Sequence, residues 1–213
     1  MVPAPSIVRV PWWTLGLVFT AILAWGTPGA TDLFIYDRAA LARGEWWRLL
    51  TGHLTHFSGT HLLNNLVVLA PAAWLVETRC RSDAATLFVL AALGISIALW
   101  INDPRLVQFA GASGIAIAFL VYAVLRGLHE RGPWRVVCAI LLLITGTKLV
   151  AEGCLEWRFS DWQTTSGFVP VWLSHVIGAS SGLAWYLRRQ TGRQDQRPMS
   201  GQVPQSRSVR LDG

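Results

Sequence analysis

The sequence has few charged residues and almost no lysine. Only 14% of its 213 residues are charged, and a single lysine stands among 18 basic residues, which is unlike the surface of a soluble domain. The three cysteines show no metal-ligand spacing and imply no disulfide framework. Apolar residues are abundant instead, since they form 53% of the chain and include twelve tryptophans. This balance indicates a polytopic membrane protein, and we expect no cofactor, no bound metal and no nucleic-acid partner.

Six apolar runs are long enough to cross about 30 Å of hydrocarbon at about 1.5 Å of rise per helical residue. They cover Trp12–Thr27, Gly59–Val76, Ala84–Ile101, Phe109–Leu125, Trp134–Ala151 and Val169–Leu187. We therefore expect an all-α protein with six transmembrane helices in one domain, residues 12–188, after a short N-terminal segment, residues 1–11. Residues 189–213 are rich in Arg, Gln, Ser, Gly and Pro, which predicts a disordered basic tail.

Basic residues are divided unevenly between the two sides that this topology defines. If the N-terminus is cytoplasmic, twelve arginines lie inside and five lie outside. Because cytoplasmic loops are enriched in basic residues, both termini are predicted to lie in the cytoplasm. Tryptophan pairs stand near the predicted span ends, where aromatic side chains anchor helices at the interface. One of them precedes Arg48, and we expect Trp47 and Arg48 to anchor the first outer loop at the headgroups.

Four polar residues from three predicted spans fall at one depth. His61 and Asn65 lie in the first turns of the second span, Ser113 lies early in the fourth and His175 lies early in the sixth. All three spans enter the membrane from the outer side, so these side chains gather toward the outer leaflet. Incidental polar residues would be scattered in depth, and a polar group in hydrocarbon is costly without a partner. The pattern therefore indicates a site.

Small residues surround the serine and follow the last histidine. The run from Gly111 to Gly114 leaves Ser113 among residues with almost no side chain, and Gly178 and Gly182 share a helix face with His175. Such a face lets another backbone approach closely, so we expect the sixth helix to bring His175 within hydrogen-bonding distance of Ser113. Taken singly, these residues also fit ordinary helix packing.

A joint pattern connects four motifs. They are Trp47-Arg48, His56-Phe-Ser-Gly-Thr-His61-Leu-Leu-Asn-Asn65, Gly111-Ala-Ser113-Gly114 and His175-Val-Ile-Gly178-Ala-Ser-Ser-Gly182. Over roughly Gly44 to Leu187, this pattern resembles the rhomboid intramembrane serine proteases. Within that family the chain is most similar to the bacterial rhombosortases, which share the Gly-Glu-Trp-Trp-Arg-Leu-Leu-Thr opening and a polar fifth-helix end such as Lys148-Leu-Val-Ala-Glu152.

The resemblance implies a rhomboid fold and a serine endopeptidase. Ser113 would be the nucleophile and His175 its general base, a dyad without a carboxylate, because a serine hydroxyl attacks only when a base removes its proton. The oxyanion-stabilising groups implied are His61, Asn65, the backbone of Ser113, Gly111 and Ala112. The helix-packing residues implied at the site are Gly114, Gly178 and Gly182. Asn64 is the competing amide or a supporting group, since it lies three residues from His61.

Other polar residues are interpreted as structural. His53 and His56 are expected to order a loop, and a metal site formed with His61 would lack the His-Glu-x-x-His helix of zinc proteases. Lys148 and Glu152 are spaced i, i+4 and are expected to pair with each other or to face water, as scaffold rather than as groups that contact substrate. Residues 152–168 are expected to form a mobile polar flap before the last span.

The resemblance also implies where and on what the protein acts. We expect a multi-pass protein of a bacterial inner membrane that cleaves membrane-anchored proteins near the periplasmic face. The rhombosortase likeness implies secreted substrates whose C-terminal sorting tail has a glycine-rich motif, a hydrophobic helix and basic residues. The alternatives are a general rhomboid protease acting on other single-span substrates, or a rhomboid-fold protein that binds membrane clients without cutting them.

Overall fold

The structure is a computed structural model of the chain, and it describes residues 10–159 and 172–194. These residues are mostly helical. The helices are α1 Trp12–Gly26, α2 Ala30–Phe34, α3 Arg38–Ala42, α4 Arg48–Thr51, α5 Gly59–Arg79, α6 Arg81–Asn102, α7 Ser113–Gly127, α8 Pro133–Phe159 and α9 Trp172–Gln194. A 3-10 turn covers Gly52–Leu54, and β1 Tyr36–Asp37 pairs antiparallel with β2 Gln108–Phe109.

Within the described residues, most of each predicted apolar run lies on one of the helices α1 and α5 to α9. Among the described residues, α5, α6 and the Pro133–Cys154 part of α8 are long and apolar enough to cross a membrane, and α1 and α7 are shorter apolar helices. The predicted start of the fourth helix is wrong. Gln108 and Phe109 pair with β1, so α7 begins only at Ser113. The predicted start of the sixth helix, Val169, lies outside the described residues.

The α7 helix forms the centre of the bundle. Eleven of its fifteen residues are buried, including Phe119 and Tyr122, and it packs against α5, α6, α8 and α9. The α8 helix is the opposite case, because apolar residues such as Leu143 and Val150 are exposed along it. Exposed apolar side chains of this kind suit contact with lipid. Ser113 therefore begins the helix that the rest of the bundle holds most firmly.

The first turns of α5, α7 and α9 meet at one end of the bundle, which we call the site end. The loop before α5 is ordered there by Arg48, whose side chain is buried. Its Nη1 donates to the carbonyl oxygens of Asp32 at 2.9 Å and Ile35 at 2.8 Å, and its Nε donates to Glu45 at 2.8 Å. Arg48 therefore does not anchor the loop at the headgroups as predicted, because three acceptors hold its guanidinium inside the loop. Trp47, the other residue of that prediction, is exposed.

Buried carboxylates tie the helices together at the opposite end. Glu77 on α5 accepts the backbone N–H groups of Trp13 at 2.9 Å and Thr14 at 2.8 Å, which caps the first turn of α1. Asp83 on α6 accepts the Tyr122 hydroxyl of α7 at 2.5 Å and Nε of Arg189 at 2.6 Å. These contacts connect five helices through two acidic side chains.

The predicted disordered tail begins too early. Residues 189–194 continue α9, because Arg189 is bound to Asp83 and Gln190 Nε2 donates to the Tyr186 hydroxyl at 2.9 Å. Residues 195–213 lie outside the described residues. The predicted flap is also interrupted, since residues 152–159 belong to α8 and only its remainder, residues 160–168, lies outside the described part of the chain.

Candidate active site

Ser113 is the first residue of α7 and is half-buried. The chain reaches it from β2 through Gly111, which has a φ of +125° that residues with a Cβ rarely adopt. Four residues after Phe109, the backbone has turned from a strand into a helix. Because Ser113 stands at the helix start, its N–H has no carbonyl within the helix to which it could donate.

Backbone contact between α7 and α9 joins the chain neighbours of Ser113 and His175. A methyl group on Gly114 would lie 2.6 Å from the Ser174 carbonyl oxygen, and one on Gly178 would lie 2.0 Å from the Gly114 carbonyl oxygen. One helical turn further, a methyl on Gly182 would lie 2.4 Å from the Ala118 carbonyl oxygen. The predicted close approach at Gly114, Gly178 and Gly182 is therefore present. His175 is 4% exposed, and the hydrogen bonds of the described residues do not include one from Ser113 to it.

His61 and Asn65 on α5 lie against Gly111. A methyl added to Gly111 would be 2.7 Å from His61 Nε2 and 3.3 Å from Asn65 Nδ2, so a larger residue has no room there. Asn65 is 6% exposed, and its Nδ2 has no hydrogen-bond partner within the described part of the chain. Asn64, the competing amide, is exposed. The structure thus places His61 and Asn65 beside Gly111, two residues before Ser113, and it places Ser174, the neighbour of His175, beside Gly114.

The backbone donors next to Ser113 are already in use. The Gly111 N–H donates to the Gly52 carbonyl oxygen at 3.2 Å, and the Ala112 N–H donates to His56 Nε2 at 3.4 Å. In this arrangement the N–H groups of Gly111 and Ala112 therefore already have acceptors, and their part in oxyanion stabilisation stays a prediction. Among the described residues no hydrogen bond uses the Ser113 N–H, which leaves it as the available backbone donor.

His53 and His56 order the loop beneath the site, as expected. His53 is buried, and its Nε2–H donates to the Ala92 carbonyl oxygen on α6 at 3.0 Å. Burial lowers the pKa of His53 from its ordinary 6.5 to about 4. Burial, together with the neighbouring His61, also lowers the pKa of His56 to about 4. Both imidazoles are therefore neutral near pH 7.

A carboxylate contacts the predicted base, and the sequence interpretation missed it. Glu152 Oε2 lies 2.7 Å from His175 Nδ1, and Lys148 Nζ lies 2.5 Å from Glu152 Oε1. Lys148 and Glu152 pair with each other as expected. The predicted dyad contains no carboxylate, whereas the structure places one beside His175, and the dyad itself stays a prediction. The signal in the sequence was their depth, since both stand near the predicted outer end of the fifth span, level with His175.

Comparisons with known proteins find one family and several relatives. The Rhomboid domain matches residues 43–190, which include every residue of the site. A Bacillus subtilis (strain 168) protein, YdcA, whose name places it among rhomboid proteases, is 39% identical over 114 residues, 51% of this chain and 53% of that protein. The rhomboid protease GluP of the same organism is 40% identical over 80 residues, 37% of this chain and 15% of that protein. The match thus spans about half the length of the first relative and a small part of the second.

Proposed function

The chain belongs to the rhomboid family, and from that premise we propose that it is an intramembrane serine endopeptidase. The observation that carries the proposal is the convergence of three helix starts on one small space. Ser113 comes from α7, His175 from α9, and the buried, unpartnered Asn65 amide from α5. A protein that only binds its clients has no need for a nucleophile, a base and an unused buried donor at one point.

In the proposed reaction, Ser113 Oγ attacks the scissile carbonyl carbon while His175 accepts the hydroxyl proton. The carbonyl oxygen becomes negative and is stabilised by Asn65 Nδ2, by His61 and by the Ser113 N–H. His175 then gives the proton to the leaving amine as the C–N bond breaks. Water, activated by the same histidine, hydrolyses the acyl-enzyme and restores the serine.

The finer features of the proposal concern topology and substrate. The six long helices cross a bacterial inner membrane with both termini in the cytoplasm, and the site end faces the periplasm. The substrates are membrane-anchored proteins, and the rhombosortase-like opening from Gly44 favours C-terminal tails with a glycine-rich motif. Such a segment unwinds easily, because glycine is a poor helix former, and it leaves its carbonyl groups accessible.

A graded series of variants tests the proposal. The substrate is a reporter that ends in a glycine-rich motif, an apolar helix and an arginine cluster, and a second reporter carries an unrelated single span. Ser113→Ala should abolish cleavage and His175→Ala should nearly do so, whereas Asn65→Ala should slow turnover about 10²–10³-fold because other donors remain.

Asn64→Ala is the matched control, since this neighbouring amide is exposed, and its rate should equal that of the wild type. Membrane insertion and thermal unfolding are measured for every variant. If inserted and folded Ser113→Ala still cleaves the reporter while Asn65→Ala does not, the serine is a packing residue and the protease assignment is wrong. Cleavage of the second reporter alone would reject the glycine-rich tail as the substrate class.

A further inference from the structure

Two charged side chains of α8 reach one nitrogen of His175. Nδ1 lies 2.7 Å from Glu152 Oε2 and 3.2 Å from Lys148 Nζ. The imidazole side chain is 5% exposed and that of Glu152 is 21% exposed, so the contact is largely shielded from solvent. Lys148 is more open, at 46%. They are the charged groups that face His175 within the described structure.

The carboxylate determines which imidazole nitrogen carries the proton. An ionised carboxylate can only accept a hydrogen bond, so Nδ1 must be protonated to bind Glu152. The Lys148 ammonium can only donate, and it therefore forms its hydrogen bond with Oε1 of Glu152 at 2.5 Å rather than with Nδ1. In the neutral ring this leaves the lone pair on Nε2, the atom that a general base needs.

The contact is built into the packing of α8 on α9. Trp172 Nε1–H donates to the Leu149 carbonyl oxygen at 2.8 Å, and a methyl on Gly153 would lie 3.0 Å from the Trp172 ring. Lys148, Leu149, Glu152 and Gly153 are spaced so that they share one face of α8. That face is thereby held against the first turn of α9, where His175 lies.

We propose that Glu152 is a positioning residue for the general base His175, a role that rests on the proposed protease function. It selects the Nδ1–H tautomer, fixes the ring and stabilises the imidazolium that forms when Ser113 transfers its proton to Nε2. That proton passes on to the leaving amine, and Glu152 remains ionised throughout. Lys148 holds the second carboxylate oxygen and keeps the charge in place.

The first test compares Glu152→Gln with Glu130→Gln in the full-length protein. Glu130 forms an ion pair with Arg79 at the opposite end of the bundle, so the control makes the same chemical change away from the site. Glu152→Gln should lower kcat by about 10-fold or more, up to the roughly 10⁴-fold loss caused by the equivalent change in soluble serine proteases, with KM little changed. Glu130→Gln should match the wild type.

The pH profile separates positioning from mere support of the fold. Without the negative charge beside it, the imidazolium is less stable, so the acid limb of kcat/KM should move to lower pH in Glu152→Gln. Lys148→Met removes a positive charge and should move the same limb to higher pH. A folded Glu152→Gln protein with wild-type kcat and an unmoved limb overturns the proposal, and so does a change confined to KM, which would place Glu152 on the substrate.

A measurement on the unaltered protein covers the case in which the variant does not fold. In NMR spectra of 15N-histidine-labelled protein, the His175 signals are assigned by their disappearance in His175→Ala. These signals should show that the neutral ring is the Nδ1–H tautomer. An Nε2–H tautomer overturns the proposal. Labelling of Ser113 by a fluorophosphonate probe keeps the two proposals apart, because a labelled serine with no effect at Glu152 rejects the positioning role alone. Cleavage by Ser113→Ala rejects the protease function itself.

Discussion

The Asn65 amide is a buried donor without an acceptor among the residues that the structure describes. Leaving such a group unsatisfied costs about 1–3 kcal/mol, and Nδ2 of Asn65 has no partner within the described structure. The packing of α5 against α7 must offset this cost. In the proposed reaction the donor is then already in place when the carbonyl oxygen becomes charged, and no reorganisation is needed at that moment.

His53 should make the fold sensitive to acid. Its pKa is about 4 in the folded protein and 6.5 ordinarily, so between these values the unfolded chain binds a proton that the folded chain does not. Stability is therefore lost as the pH falls from about 6.5 to about 4, by roughly 3 kcal/mol in all. Thermal unfolding in detergent at pH 7.5 and pH 4.5 measures this loss.

His53→Gln serves as the comparison, because a glutamine amide can still donate toward the Ala92 carbonyl oxygen but does not titrate. Its Tm should fall less between the two pH values than that of the wild type. His56 contributes equally to both proteins and cancels. If the Tm of both proteins falls by the same amount between the two pH values, His53 does not cause the acid sensitivity.

The residues of the site differ in how far the sequence could identify them. His61, Asn65, Ser113 and His175 could be predicted because a polar residue in an apolar helix is conspicuous and its depth follows from its position. The choice of Asn65 over Asn64 came from family resemblance and agrees with their burial. The contact of Glu152 with His175 could not be predicted, since it depends on how α8 and α9 are rotated about their axes.

Among the elements, α7 and α9 have the contact most sensitive to a single methyl group. Gly178→Ala would place its Cβ 2.0 Å from the Gly114 carbonyl oxygen, and a main-chain atom cannot turn aside as a side chain can. The helices must separate, which carries His175 away from Ser113. We expect a lower Tm and, in the fraction that stays folded, a large loss of both cleavage and fluorophosphonate labelling.

Gly146→Ala is the control for this change. Gly146 lies on α8, where an added methyl group would meet nothing within 4 Å, and alanine is favoured over glycine inside a helix by about 1 kcal/mol. Its activity should be unchanged and its Tm equal or slightly higher. Wild-type turnover and Tm in Gly178→Ala would contradict the direct backbone contact.

The long helices were predictable and the small elements were not. Within the described residues, most of each of the six apolar runs lies on a helix, because length and hydrophobicity are properties of a single segment. The sheet of Tyr36–Asp37 with Gln108–Phe109 joins residues about seventy positions apart, and two residues carry no alternation that would indicate a strand. Its pairing delays the start of α7 to Ser113.

For the whole molecule, the orientation in the membrane stays a prediction. It depends on the twelve arginines on the predicted cytoplasmic side and the five on the outer side. A fluorescent protein fused after Gln194, the last residue of α9, should fluoresce, and alkaline phosphatase at the same position should be inactive. Phosphatase inserted after Arg105, between α6 and α7, should be active. The reverse pattern would place the site end in the cytoplasm and reject a periplasmic site.

The contact of Gly114 with Ser174 and Gly178 limits how closely α7 and α9 can approach. Two main chains touch there, so the backbone spacing between Ser113 and His175 is set by atomic radii. Glu152 instead reaches His175 through its side chain from α8, the least buried of the three described helices that are long and apolar enough to cross a membrane. If a bilayer tilted α8, the backbone spacing of α7 and α9 would stay the same. Glu152 would move with α8, and the imidazole of His175 that it contacts would turn. The rate of the proposed cleavage would then depend on membrane thickness, although the fold does not change.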